Sequence, residues 1–271
     1  MDLSTVEELV PAVGATWQAG DAFLAGGSWL FSQPQPDVRR LLDLHAFDWP
    51  PLVESDAGLE IAATCTLATV AAWRPPARWP AGALARRCCE ALLGSFKVQN
   101  TATVGGNICL ALPAGPMTSL AASLGGVATL WSPDGTARAL PVVELVTGVQ
   151  QTALRPGELL RSVLLPAASL AGRAAMRQYS LSTLGRSAAL VIGLQAPSGE
   201  IVLTVTASTP RPVQVTVPGA VGAAVGDAAA DAVAALDAAV PAWHDDVHGD
   251  PAWRAAITRR MVAEVVGELS S

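Results

Sequence analysis

The sequence predicts an α+β fold in two parts, on three observations. Strand-type and helix-type segments are mixed in both halves of the chain. Two tight turns, Ser132-Pro133-Asp134-Gly135 and Pro197-Ser198-Gly199, each lie between apolar segments, as hairpin turns do. The segment Pro166 to Arg173 separates an amino-terminal domain, 1–168, from a carboxy-terminal α+β domain, 169–271.

The elements follow in order. Ser4 to Gln18 reads as a helix: Ser4 with Glu7 three residues on makes a capping box, and Gly20 stops it. Ala22 to Ala25 is a short strand that runs into Gly26-Gly27. Val38 to Leu44 is a second short apolar unit, after the turn marked by Pro34 and Pro36. Leu59 to Thr66 reads as a strand and Leu67 to Trp73 as a helix; the prolines of Arg74 to Pro80 demand a loop. Ala83 to Leu93 has helical spacing of apolar residues, Ser95 to Leu112 has no helix signal, and Met117 to Leu124 reads as a buried helix. Val127 to Trp131 and Ala137 to Pro141 form the first hairpin, and Leu159 to Leu165 is a further strand. Ala189 to Gln195 and Ile201 to Ala207 form the second hairpin. Helices follow at Gly226 to Ala239 and Pro251 to Gly267, the last with proline in its first turn.

Composition excludes several functions. The chain has 271 residues, half of them apolar, and a net charge of −6 with no cluster of Lys or Arg. Nucleic-acid binding, which needs a basic face for phosphates, is not predicted. Met1 to Ala12 carries Asp2, Glu7 and Glu8, unlike a secretory leader. No uncharged, unbroken apolar stretch reaches the ~18 residues of a membrane span, since the low-charge stretch Ile108 to Pro133 is interrupted by Pro113, Pro116 and several Gly, so a cytoplasmic protein is expected. Cys65, Cys88, Cys89 and Cys109 form no C-x-x-C pair and read as buried free thiols; they do not supply the thiolates of an iron–sulfur cluster. His244-Asp245-Asp246 and His248 read as a solvated loop rather than a metal site, and no metal site is expected. No residue is assigned a catalytic acid–base role.

Two glycine segments carry the sharpest local signal. Leu24-Ala25-Gly26-Gly27-Ser28-Trp29 ends a strand in two glycines and a hydroxyl. Thr101-Ala102-Thr103-Val104-Gly105-Gly106-Asn107 repeats the pattern with an amide after it. Glycines let backbone N–H groups converge on an anion, so two such segments can clamp a diphosphate from either side. Neither segment is a P-loop or a Rossmann fingerprint.

Leu24-Ala-Gly-Gly-Ser-Trp-Leu30 resembles the A-G-G-T-x-L loop of the FAD-binding (medium) subunits of the molybdenum hydroxylases, the xanthine dehydrogenase and carbon monoxide dehydrogenase flavoproteins. Asn100-Thr-Ala-Thr-Val-Gly-Gly-Asn-Ile108 resembles their R-N-x-x-T-x-G-G-N loop. Pro156-Gly-Glu-Leu-Leu160, Pro210 and Asp250-Pro-Ala-Trp-Arg254 resemble later family segments, so the likeness spans nearly the whole chain. The family's two aspartates after the second loop are replaced by Leu112 and Pro116, and its Arg before the Asn of that loop by Gln99.

The resemblance implies a two-subdomain FAD-binding fold of the PCMH type followed by the carboxy-terminal domain. It implies an oxidoreductase subunit that binds FAD, with Leu24, Ala25, Gly26, Gly27, Ser28 and Trp29 on one side of the pyrophosphate. Thr103, Gly105, Gly106 and Asn107 lie on the other side, and Leu160 near the adenine. It further implies a molybdopterin-binding large subunit and a 2Fe–2S small subunit as partners, with electrons passing from the clusters through FAD to an external acceptor. The alternatives are an FAD-less assembly subunit of such a complex, or a stand-alone flavin oxidoreductase. Trp29 reads as a cap on the core or a cover for the flavin, and Tyr179 lies where the family's flavin-proximal loop begins.

Overall fold

The computed structural model describes residues 4–183, 185–219 and 225–271. The first three residues of the Met1–Ala12 segment lie outside the described residues. The chain begins with a three-stranded parallel sheet: β1 (Glu8–Pro11), β2 (Asp21–Leu24) and β3 (Arg40–Asp43), with β3 in the centre. The expected helix over Ser4 to Gln18 is not formed. Pro11 lacks the N–H an interior helical position needs. The backbone groups of this segment find partners in β3 instead, a pairing across some thirty residues that local spacing does not reveal. Asp21 faces Arg40 across the β2–β3 pair, which is closed by two hydrogen bonds of 2.8 and 2.7 Å. That guanidinium holds the Asp21 carboxyl below its ordinary range.

Next comes a five-stranded sheet in the order β4–β5–β10–β6–β7: β4 (Leu52–Ser55), β5 (Gly58–Ala62), β6 (Val127–Trp131), β7 (Ala137–Pro141) and β10 (Leu159–Pro166). The expected β6–β7 hairpin is present, with Gly135 at φ 82° in its turn. A small two-stranded sheet, β8 (Val146–Gly148) with β9 (Gln151–Thr152), lies between β7 and β10 in sequence. Helices α1 (Leu67–Ala72), α2 (Leu84–Ala91), α3 (Phe96–Thr101), α4 (Val104–Leu110) and α5 (Pro116–Ser123) share a core with this sheet, and α4 lies against β5 and β10. Leu59, Ile61, Val163, Leu165, Leu67, Leu84, Ile108 and Leu120 close one continuous core.

The stretch Ser95 to Leu112, expected to lack helix, holds two. Ser95 Oγ accepts from the Val98 N–H and caps α3; Thr103 Oγ1 accepts from the Gly106 N–H and caps α4. The hydroxyls that read as loop chemistry are caps, and packing outweighs the poor helix propensity of Gly105-Gly106.

Two single-turn helices, α6 (Val142–Leu145) and α7 (Ala167–Leu170), flank β8–β10, and the remaining chain forms a third layer. Its antiparallel sheet runs β11 (Arg173–Tyr179), β12 (Ala189–Gln195), β13 (Ile201–Thr206), β14 (Val213–Val217), backed by α8 (Val225–Ala239) and α9 (Pro251–Ser270). The expected β12–β13 hairpin is present, and β11 and β14 extend it. In β12, Leu190, Ile192 and Leu194 join the core of the five-stranded unit, while Ala189 and Val191 join a second core with α8 and α9. A strand covered on both faces must be apolar throughout, which is why Ala-Leu-Val-Ile-Gly-Leu does not alternate.

Candidate cofactor site

The site lies where the parallel sheet meets α4 and the start of β10. The first glycine segment leaves β2 at Leu24. The Ala25 carbonyl lies 3.2 Å from Nε2 of His45, which ties it to the turn after β3. A Cβ on Gly26 would stand 1.6 Å from the Thr101 carbonyl oxygen and 3.3 Å from Thr103 Cγ2. Gly26 is therefore glycine because the two glycine segments touch. Gly27 sits at φ +68°, with the Phe31 ring 2.5 Å from where its Cβ would be. Among the described residues, no hydrogen bond to a protein acceptor is made by the amides of Gly26, Gly27, Ser28 and Trp29. Ser28 and Trp29 are exposed. Trp29, at 40% exposure, is not a cap on the core.

The second segment behaves differently. The Val104 N–H donates to the Cys65 carbonyl (2.9 Å), Gly105 to Ala63 (2.8 Å), Gly106 to Thr103 Oγ1 (3.1 Å) and Asn107 to the Thr103 carbonyl (2.9 Å). These four amides are all taken, so they are not free to donate to an anion. A Cβ on Gly105 would stand 2.6 Å from Ala63 Cβ, so this glycine lets α4 lie against the end of β5. Gly106 is exposed, and a Cβ there would meet only Thr103 Oγ1, at 3.0 Å. The second segment presents a bare Cα wall. Asn107 turns inward: its Oδ1 accepts from the Met117 N–H at 2.9 Å and holds the start of α5.

Between these walls lies a cavity of about 130 Å³ lined by Phe23, Ala25, Leu44, Ala63, Gly105, Gly106, Cys109, Leu154, Glu158, Leu159 and Leu160. Of the residues singled out in the sequence, Ala25, Gly105, Gly106 and Leu160 meet here. Leu24, Gly26, Gly27, Ser28, Trp29, Thr103 and Asn107 stand behind or beside it. Pockets for whole drug-sized ligands hold roughly 300–1,000 Å³, so this one has room for only one end of an extended ligand. The free amides beside it suit the polar remainder. The residues present fit FAD in that sense: an apolar slot, unspent donors next to it, and a wall with no side chain at Gly106.

Phe23 and Leu44 read in the sequence as ordinary core, and only the Pro156–Leu160 segment points to Leu159 and Glu158. Glu158 carries the charge of this lining. It is buried at 5% exposure. It accepts from Arg138 Nε (2.8 Å) and Nη2 (2.7 Å), and from the Arg155 N–H (2.8 Å). The paired guanidinium, helped by that amide, pulls the carboxyl from its ordinary 4.5 down to about 2 against the opposing cost of burial. A single acid at the head of an apolar strand is the signal that asks for such a partner, but nothing local names Arg138.

The four cysteines, of which Cys109 lines the cavity, are free, and burial pushes the thiols of Cys65, Cys89 and Cys109 up to about 12. Among the described residues no cluster of His, Cys, Asp or Glu suits a metal ion, and no helix is long and apolar enough to cross a membrane. The His244–Asp246 segment is not a freely solvated loop: Asp246 pairs with the buried Arg254 and with His244. Tyr179 is 38% exposed, and Arg177 before it pairs with Glu264 and Glu268 on α9.

Comparison with known proteins gives the family and the fold. A stretch of 84 residues is 33% identical to xanthine dehydrogenase of Oryza sativa subsp. japonica; it covers 29% of this chain and 6% of that much longer protein. The fold matches carbon monoxide dehydrogenase from Oligotropha carboxidovorans with a TM-score of 0.83 and 22% identity, over 100% of this chain and 99% of the matched one. It also matches quinoline 2-oxidoreductase from Pseudomonas putida 86, with a TM-score of 0.73, 20% identity, and 93% and 91% coverage. The family model for the FAD binding domain in molybdopterin dehydrogenase matches residues 3–168. This chain therefore belongs to the FAD-binding family of the molybdopterin dehydrogenases, which are oxidoreductases.

Proposed function

We propose that this chain is the electron-transfer subunit of a molybdenum-containing hydroxylase or dehydrogenase complex. Its partners are a molybdopterin-binding large subunit and a small subunit with 2Fe–2S clusters. Residues 1–168 hold the cofactor and 169–271 form the accompanying domain. FAD, when bound, supplies one- and two-electron exchange between the clusters and an external acceptor. The chain's own residues bind it and shield it. The amides of Gly26, Gly27, Ser28 and Trp29 donate to the diphosphate, with Leu24 and Ala25 carrying that segment. Gly105 and Gly106 give close approach on the opposite wall, Thr103 and Asn107 fix that wall, and Leu160 packs against one end of the ligand.

The observation that carries this reading is the row of unspent amides at Gly26–Trp29, lying against Thr101 and Thr103 and beside an apolar slot. The four free cysteines agree with clusters held on another chain. The test is native purification with its partners, followed by flavin and metal analysis. The expected result is a yellow complex that releases FAD on heating and contains molybdenum and iron. A colourless chain that takes up no FAD from solution would make it an assembly subunit; a yellow chain active alone would make it a free-standing flavoenzyme.

A further inference from the structure

The carboxy-terminal layer does more than flank the cofactor half. Three hydrogen bonds join it to α5 and to the segment that leads into α5 from α4. The Ala207 N–H donates to the Pro113 carbonyl (2.7 Å). The buried hydroxyls of Ser119 and Thr206 meet at 2.7 Å. Gln214 Nε2 donates to the Ala122 carbonyl (2.8 Å) and to Thr204 Oγ1 (2.9 Å). Ala207 itself is held by Arg254, which is 1% exposed and donates to the Ala207 carbonyl, to the Gly249 carbonyl (2.9 Å) and to Asp246.

On its other side the same segment is gripped from the amino-terminal half, where the Gln150 N–H donates to the Ala111 carbonyl at 2.9 Å. Ala111, Gln150 and Ala207 all lie in the left-handed region, at φ 50°, 54° and 65°. Non-glycine residues hold that conformation only where their surroundings fix it, so three at one joint mark a tightly determined segment. The joint reaches the cofactor wall directly. Ala111 is the C-cap of α4, and Met117, at the start of α5, donates its N–H to Asn107 Oδ1. Asn107 is the residue after the exposed Gly106.

We propose that the carboxy-terminal layer sets how firmly the α4 wall holds FAD, through this joint, with Thr206 and the Asp246–Arg254 pair as positioning residues. The inference rests on the cofactor reading above. It predicts that loosening a bond more than one element away from the cavity changes cofactor affinity while the fold persists.

The test uses the full chain. Thr206→Val keeps the volume and deletes the hydroxyl; Thr206→Ser keeps the hydroxyl; Asp246→Asn removes the charge that balances Arg254. FAD is titrated into each apoprotein at a temperature where far-UV circular dichroism matches the original chain. Thr206→Val and Asp246→Asn are expected to raise the FAD dissociation constant roughly five-fold, equal to about 1 kcal/mol, and to change the visible dichroism of the bound flavin. Thr206→Ser is expected to bind as the original chain does. In the apoproteins, hydrogen exchange over residues 104–117 is expected to quicken in the two disruptive variants. Unchanged affinity, dichroism and exchange in both overturn the inference, as does equal weakening by Thr206→Ser. If Thr206→Val does not fold, Asp246→Asn decides alone. If the original chain takes up no FAD, the cofactor reading falls, and exchange over 104–117 still decides whether the joint controls the wall.

Discussion

At the scale of single residues, the glycines of the two segments have different physical reasons, and substitution separates them. Gly26 has no room for a Cβ because the Thr101 carbonyl stands in its place. Gly26→Ala is expected to destabilise the protein by about 3 kcal/mol, through overpacking against backbone that cannot rotate away. Gly106 is exposed, and its missing Cβ would meet only the Thr103 hydroxyl. Gly106→Ala is expected to leave apoprotein stability within about 1 kcal/mol, since alanine is the better helix former, while FAD affinity falls. Urea unfolding and FAD titration of both variants check this, and an alanine at 106 that binds FAD normally would remove the bare-wall argument. Glu158 gives a pH prediction. Its carboxyl is depressed to about 2 from 4.5, so the stability it contributes is present above pH 4.5 and is lost as the pH falls toward 2. With Arg138 partly open to water, that contribution is about 2 kcal/mol. Glu158→Gln is expected to lower the unfolding midpoint at pH 7 and to flatten the decline between pH 4.5 and 2. Unfolding curves at several pH values read this directly.

At the scale of elements, α4 shows how far local reading goes. Thr103, two glycines and an asparagine were legible as a special segment, and its residues do line or support the cavity. That the segment is a helix was not legible. Its stability comes from a cap and from the Ala63 and Cys65 carbonyls, both distant in sequence. Thr103→Val, which keeps the shape and deletes the cap, is expected to cost about 1 kcal/mol of stability. It also frees the Gly106 amide, which thermal melts combined with hydrogen exchange would reveal. The amino-terminal strand was misread for a related reason. Ser4 and Glu7 satisfy a helix rule locally, but β3 offers β1 a parallel ladder that helical spacing cannot anticipate. The two hairpins, by contrast, were legible because a hairpin turn and its strands are contiguous.

At the scale of the whole molecule, ligand binding and stability are linked. The site joins the parallel sheet, which has a small core of its own, to α4 and β10, which share the main core, so a ligand there touches both. FAD at about one hundred times its dissociation constant is expected to stabilise the folded chain by ~2.7 kcal/mol. For a chain of this length that raises the melting temperature by roughly 5–10 °C. Differential scanning fluorimetry with and without FAD checks it, with free riboflavin as the comparison that lacks the diphosphate. A rise of similar size with riboflavin would shift the weight of binding from the Gly26–Trp29 amides to the apolar slot.

The sequence by itself determined the mixed α+β class, both hairpins, the carboxy-terminal helices and the family. These depend on contiguous spacing, turn chemistry and short motifs. Only the tertiary structure decided which amides remain free, that Glu158 is paired to Arg138, that β1 is a strand, and that Thr206 meets Ser119 of α5 while Arg254 holds Ala207. Each of those depends on a partner far along the chain, and a backbone amide looks the same in any sequence until the fold supplies or withholds its acceptor.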